Sequence, residues 1–178
     1  MIVQAPHAIL HCDGSSLPTN PGFGGAGYVL SVDGTVLAAA GVYLGAGLSN
    51  NAAEFNGLLA GLESAMKHGI EDIEVHLDSR LVVQLVNDRW RTKKPHLQGY
   101  HTRACNLLSH FKHWTVEWRG REENTQADAL ANAAATERRN VTPADVRGKD
   151  YTQRVRSALS GYFRDRRPRG RHRRAVQA

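Results

Sequence analysis

Apolar positions recur along the chain with two spacings, and these place its elements. Residues 7–12 form a short apolar run of the kind a buried strand needs. Residues 13–25 are dense in Gly, Pro, Asn and Ser, so a loop is expected there. Residues 26–32 and 35–44 are rich in strand formers and flank Asp33-Gly34, a two-residue hairpin signal. Three strands in series, paired antiparallel, follow from this pattern.

The spacing then switches to that of a helix. Phe55, Leu58, Leu59, Leu62 and Met66 line one face, with Asn50 or Asn51 available as a cap and Gly69 as a stop. Residues 73–77 read as a fourth strand, ending at Asp78. Leu81, Val82, Leu85 and Val86 give a short helical stripe, and residues 90–95 a basic connection. Residues 97–111 carry a further helical stripe, residues 114–118 alternate as a strand, and Ala127, Leu130, Ala131 and Ala134 mark a last helix over 124–138. The order is βββ-α-β-α-α-β-α, an α/β fold with a mixed five-stranded sheet whose first three strands are antiparallel. Trp114 and Trp118 are expected to pack inside that sheet.

Composition adds one division. The 178 residues suit one domain with an extension, and 41% hydrophobic residues are too many for a disordered chain. The net charge of +6 suggests a polyanionic partner, but it is unevenly placed. Residues 1–139 hold 12 Lys+Arg against 14 Asp+Glu, a net of −2, whereas residues 140–178 hold 11 against 3, a net of +8. The boundary is therefore set at 139: a mildly acidic body, then a basic extension with a short helix expected over 150–163 and an arginine-rich stretch over 164–174. Two cysteines exclude a disulfide scaffold and suit a reducing cytosol. No apolar run is long enough to span a bilayer, and the first residues lack the charged start and apolar stretch of a secretory leader. A cytoplasmic location, no membrane contact and a monomer are expected.

The acids carry the chemistry. Asp13 and Asp78 follow the first and fourth strands, while Glu54 and Asp128 fall in the first turns of the first and last long helices. Each alone reads as a turn residue or a complement to a helix dipole. If the first and fourth strands are parallel neighbours, however, Asp13 and Asp78 project side by side from the edge where open α/β sheets bind ligands. Clustered carboxylates repel one another unless a cation joins them, and hard oxygen ligands select Mg²⁺ or Mn²⁺.

Four blocks of sequence resemble the signatures of type 1 ribonuclease H, in the same order: Asp13-Gly-Ser-Ser with Asn20-Pro-Gly-Phe-Gly-Gly-Ala-Gly, Asn50-Asn-Ala-Ala-Glu54, Leu77-Asp-Ser79, and Arg121-Glu-Glu-Asn124-Thr-Gln-Ala-Asp128-Ala-Leu-Ala-Asn132. The resemblance spans about residues 7–137. It implies a ribonuclease H-like fold and an endonuclease that cuts the RNA strand of an RNA–DNA hybrid with two Mg²⁺ ions, Mn²⁺ being a substitute, leaving 5′-phosphate and 3′-hydroxyl ends. Asp13, Glu54, Asp78 and Asp128 match the family's metal-binding acids. Asp13 would bridge the ions, Glu54 and Asp78 would complete one site and Asp128 the other, with Glu54 also near a ribose 2′-hydroxyl. Asn20, Asn50 and Asn51 match positions that reach the hybrid's minor groove, against the plainer readings of a turn for Asn20 and a helix cap for Asn50. Ser49 is left as a phosphate donor, and Arg121 falls on the substrate side.

The sequence also departs from that pattern. Residues 119–127 contain no histidine, which many relatives carry in this loop. The basic handle of many bacterial relatives is missing, with Trp90, Arg91, Lys93 and Lys94 as a reduced contact, and a phosphate-pocket arginine of some relatives is Gly47 here. Gly22, Gly24 and Gly25 are read as permitting a tight turn and close backbone approach, and Cys12 as a core residue pointing away from Asp13. The pairs His7/His11 and His110/His113 have no cysteine or carboxylate beside them and are not taken as metal ligands. The basic extension is expected to hold nucleic-acid phosphates in place of the handle. The competing functions are a catalytically weak binding module of the same fold and a broader nuclease.

Overall fold

The computed structural model describes residues 7–148; the expected helix over 150–163 and the arginine-rich stretch lie outside them. Five strands form one sheet: β1 (Ala8–Leu17), β2 (Gly22–Val32), β3 (Thr35–Leu48), β4 (Asp72–Leu77) and β5 (His113–Trp118). Their spatial order is β3-β2-β1-β4-β5. The first three pair antiparallel, and β1–β4 and β4–β5 pair parallel. The helices are α1 (Asn50–Lys67), α2 (Arg80–Val86), α3 (Pro95–Leu108), α4 (Thr125–Glu137) and the short α5 (Pro143–Val146), with one 3₁₀ turn over Arg121–Glu123.

The expected punctuation is present at several ends. Asp33 and Gly34 both take positive φ, 48° and 78°, as a tight hairpin between β2 and β3 requires. Gly69, at φ 70°, follows the last turn of α1, and Pro95 opens α3. The cap of α1, however, is Ser49, whose hydroxyl accepts the Ala52 N–H, rather than Asn50 or Asn51.

Two expectations about the sheet also fail. The Gly-rich stretch over 13–25 is not one long loop: β1 continues to Leu17 and β2 begins at Gly22, so only residues 18–21 turn. Glycines there serve packing. A side-chain carbon on Gly25 would strike the Ala131 carbonyl of α4, and one on Gly27 the Ala127 carbonyl, so α4 lies directly on the β2 backbone. Trp114 and Trp118 are also not inside the sheet. They are 37% and 43% exposed, because β5 is an edge strand with only Val116 fully covered.

The sheet has two unlike faces. Ala8, Leu10, Cys12, Val75 and Leu77 point to one face and pack against Phe55, Leu58 and Leu62 of α1, Val82 and Leu85 of α2, and Leu97 and Leu108 of α3. Cys12 is fully buried there, as the alternation required. On the other face α4 covers β1, β2 and β3, and Leu130, Ala133 and Ala134 meet Val29 and Val141. Val141 also bridges Gly41 of β3 through a pair of backbone hydrogen bonds, so the chain past residue 139 stays attached to the body. Among the described residues no helix is long and apolar enough to cross a membrane.

Candidate active site

Parallel pairing of β1 with β4 runs in register to Cys12 and Leu77. Asp13 is the next residue of β1 and Asp78 the first past β4, so their carboxylates leave the sheet side by side. Asp13 lies within β1 rather than after it. Glu54 reaches the same place from α1, whose position is set by two glycines. A side-chain carbon on Gly14 would strike the Ala53–Glu54 backbone, and one on Gly57 the Asp13 carbonyl. Only bare backbone lets α1 approach β1 closely enough to bring Glu54 to Asp13. Glu54 is the fifth residue of α1, so it stands in the second turn and is not there as a first-turn partner of the dipole.

Carboxylate oxygens of Asp13, Glu54 and Asp78 lie within 4.8 Å of one another. They line a cleft of about 460 Å³ with Asp128, Arg121, Asn132, Asn50 and Ser15. Asp13 and Glu54 are only 4% and 6% exposed. Burial pushes both carboxyls well above the usual range. Glu54, Asp78 and Asp128 push Asp13 further; Asp78 pushes Glu54 further, with Arg121 pulling the other way. Glu54 Oε2 and Asp78 Oδ1 are buried and have no hydrogen-bond partner. Orphaned, clustered oxygens of this kind are short of positive charge, and hard divalent cations satisfy them.

Asp128 is placed differently. Its Oδ1 accepts from Arg121 Nη2 at 2.6 Å and its Oδ2 from Asn132 Nδ2 at 3.0 Å. Asn132 Oδ1 in turn accepts the Ser15 hydroxyl at 2.7 Å. Bonding to Asp128 holds the Arg121 guanidinium firmly charged. Asn124, nearly fully buried, donates to the Cys12 carbonyl at 2.7 Å and so pins the loop bearing Arg121 to β1. The functional reading of the sequence missed Ser15, Asn124 and Asn132, although two of them fall inside the last signature block.

The remaining candidates are spread out. Asn50 lines the cleft, and Asn20 Oδ1 accepts the Asn50 N–H at 2.9 Å, locking the 18–21 turn to the start of α1. Asn51 is half-buried beside it. Trp90, 51% exposed, lines a separate hollow with Arg91, Thr92 and Gln98, and Lys93 and Lys94 are exposed next to it. A further residue enters at the rim: Trp118 donates its indole N–H to the Asp78 carbonyl at 3.0 Å and carries the Arg80 guanidinium 4.7 Å above its ring.

A five-stranded sheet in this order, with acids gathered at the carboxyl ends of adjacent parallel strands, is the ribonuclease H-like fold. A family model described as reverse transcriptase-like matches residues 11–134. The structure of the N-terminal RNase H domain of Rv2228c from Mycobacterium tuberculosis superposes with a TM-score of 0.71 at 38% identity, covering 75% of this chain and 96% of that one. Ribonuclease HI of Halobacterium salinarum is 42% identical over 116 residues, 65% of this chain and 58% of the relative. LC11-RNase H1 in complex with an RNA/DNA hybrid matches with a TM-score of 0.68 at 27% identity, over 74% of this chain and 98% of that one. The chain belongs to the type 1 ribonuclease H family. It spans 38% of the length of the full mycobacterial protein.

Proposed function

We propose that this chain hydrolyses the RNA strand of RNA–DNA hybrids, leaving 5′-phosphate and 3′-hydroxyl ends, with two Mg²⁺ ions held by Asp13, Glu54, Asp78 and Asp128. The observation that carries the reading is the trio of clustered carboxylates, two of them buried, with two orphaned oxygens, since a binding module gains nothing from such repulsion. A pair of divalent cations supplies an activated water and stabilises the leaving oxygen at phosphorus. Asp13, Glu54 and Asp78 would hold one ion, and Asp13 with Asp128 the other; Mn²⁺ fits the same oxygen donors.

The chain's own groups do the remaining work. Asn132 and Ser15 fix the rotamer of Asp128, and Arg121 offsets its charge and presents a guanidinium at the cleft for a phosphate oxygen. Asn50 at the cleft mouth, with Asn20 and Asn51 beside it, offers amide donors and acceptors to the minor groove, and Glu54 stands where a ribose 2′-hydroxyl separates RNA from DNA. Ser49, Trp90, Lys93 and Lys94 supply outer contacts to the backbone, and residues 164–178 add sequence-independent phosphate contacts.

The test is cleavage of a labelled hybrid by the full chain. Mg²⁺-dependent cuts confined to the RNA strand are expected; tight binding without cleavage would leave only a binding module, and cutting of duplex DNA a broader nuclease. Removing residues 164–178 is expected to raise KM and flatten the salt dependence while leaving the metal requirement intact. An unchanged salt slope would remove the tail from the substrate.

A further inference from the structure

Behind the catalytic cleft, on the same sheet face, lies a second group of ligating side chains. His11 and His76 stand two residues before Asp13 and Asp78, about 6.6 Å back along β1 and β4. Register places His11 opposite His76, and His76 opposite Glu117 of β5. Glu74 shares their face of β4 by alternation. Among the described residues only two trios of ligating atoms approach within 4.8 Å of one another: the catalytic carboxylates, and Glu74, His76 and Glu117.

The wiring of this second trio is that of a metal ligand set. His76 Nε2 meets Glu74 Oε1 at 2.5 Å, and His76 Nδ1 meets His11 Nε2 at 3.2 Å. His76 donates Nε2–H to Glu74 while its Nδ1 faces His11, so an ion that displaces the Nε2 proton would find the ring already held on its far side, as is usual for a ligating histidine. His76 is buried, whereas Glu117 is half-buried on the edge strand. No local spacing places His7 near a carboxylate, but β4 brings Glu74 to it, with His7 Nε2 3.3 Å from Glu74 Oε2. Arg119 now spans the trio, 3.4 Å from Glu74 and 2.6 Å from Glu117, as a positive charge standing in the place a cation would take.

We propose that Glu74, His76 and Glu117 form a second metal site, distinct from the catalytic carboxylates, that takes a zinc-class transition ion. One imidazole and two carboxylates around an open position is a donor set zinc accepts, and the imidazole sets it apart from the all-oxygen cleft suited to Mg²⁺. Two carboxylates neutralise the dication once Arg119 swings out. The bound ion ties β4 to β5 directly behind Asp78.

Zn²⁺ binding to the untagged full chain, read by equilibrium dialysis, tests this, with Co²⁺ absorption as a second readout. The Asp13→Asn/Asp78→Asn double variant is expected to keep one equivalent of Zn²⁺ and to give the strong visible bands of four-coordinate cobalt. Glu117→Gln, a near-isosteric change at a half-buried position on the edge strand, is expected to weaken Zn²⁺ binding at least about tenfold while Mg²⁺-dependent activity is unchanged. Arg119→Gln is expected to strengthen binding, since it removes the competing charge. His76→Gln should abolish the site, but Glu117→Gln decides the matter if that variant does not fold. Zn²⁺ binding lost in the double variant, or equal in Glu117→Gln and the native chain, would overturn the proposal.

Discussion

Asp13 and Asp78 stand two residues beyond His11 and His76 on the same two strands and the same sheet face, yet the two neighbourhoods are satisfied in opposite ways. In the cleft, three carboxylates meet with Glu54 Oε2 and Asp78 Oδ1 lacking any partner. Behind it, Glu74 is bonded to His76 and paired with Arg119, and its carboxyl is held below the usual range, first by the hydrogen bond from His76. One group is short of positive charge and the other already has it. On the proposed function the first relies on external cations, whereas the second is already charge-balanced.

The contrast breaks most sharply if a single charge is removed from each side. Asp78→Asn is expected to lower hybrid cleavage by on the order of 10³, the scale of losing several kcal/mol of transition-state stabilisation, while Glu117→Gln leaves it unchanged. Comparable activities in the two variants would mean that the cleft acids are not the catalytic group. Gly14→Ala tests whether geometry or charge alone makes the cleft. Its new carbon would run into the Ala53–Glu54 backbone, which has nowhere to go, so a loss of about 3 kcal/mol in denaturant unfolding is expected. Stability kept in that variant would show that α1 does not need bare backbone beneath it.

The third expectation concerns pH. Asp13 titrates above its unfolded value, so the folded chain holds a proton that the unfolded chain releases above about pH 3.9. Its stabilisation is complete below that value and is lost as pH rises through the folded pKa. In EDTA, Asp13→Asn should therefore match the native chain near pH 4 and melt higher than it at pH 7, by roughly 3 °C. Mg²⁺ should close the gap by restoring the native chain alone. A constant difference across this range would mean that the carboxylates do not repel in the absence of metal.

What could be read without coordinates divides along similar lines. That the four acids line one cleft was legible from their signature blocks and from the parallel pairing of β1 with β4, the ordinary consequence of a crossover helix, although Asp13 sits within β1 and Glu54 in the second turn of α1. The extent of β1 and β2 was not, since glycines that let α1 and α4 lie against the sheet look the same in sequence as glycines that turn. Trp114 and Trp118 were misplaced because alternation does not reveal that a strand is at an edge. Ser15 and Asn132 are 117 residues apart, Asn124 and Cys12 112, and His11 and His76 65; contacts at that range leave no local spacing to find.

The smallest expected effect tests how Asp128 belongs to the cleft at all. Both of its oxygens already have side-chain partners, Arg121 on one and Asn132 on the other. If Asn132 serves only to hold that carboxylate in place, then Asn132→Ala should leave Arg121 bonded, the fold intact and kcat at saturating Mg²⁺ little changed. The Mg²⁺ concentration giving half the activity should rise about tenfold, the usual penalty for freeing a ligand from its outer partner. Asn132→Asp sharpens the result: it places a like charge against Asp128 and should require still more Mg²⁺ than the alanine variant. An unaltered Mg²⁺ requirement in both would move Asp128 out of the cation site and leave it as the anchor of Arg121.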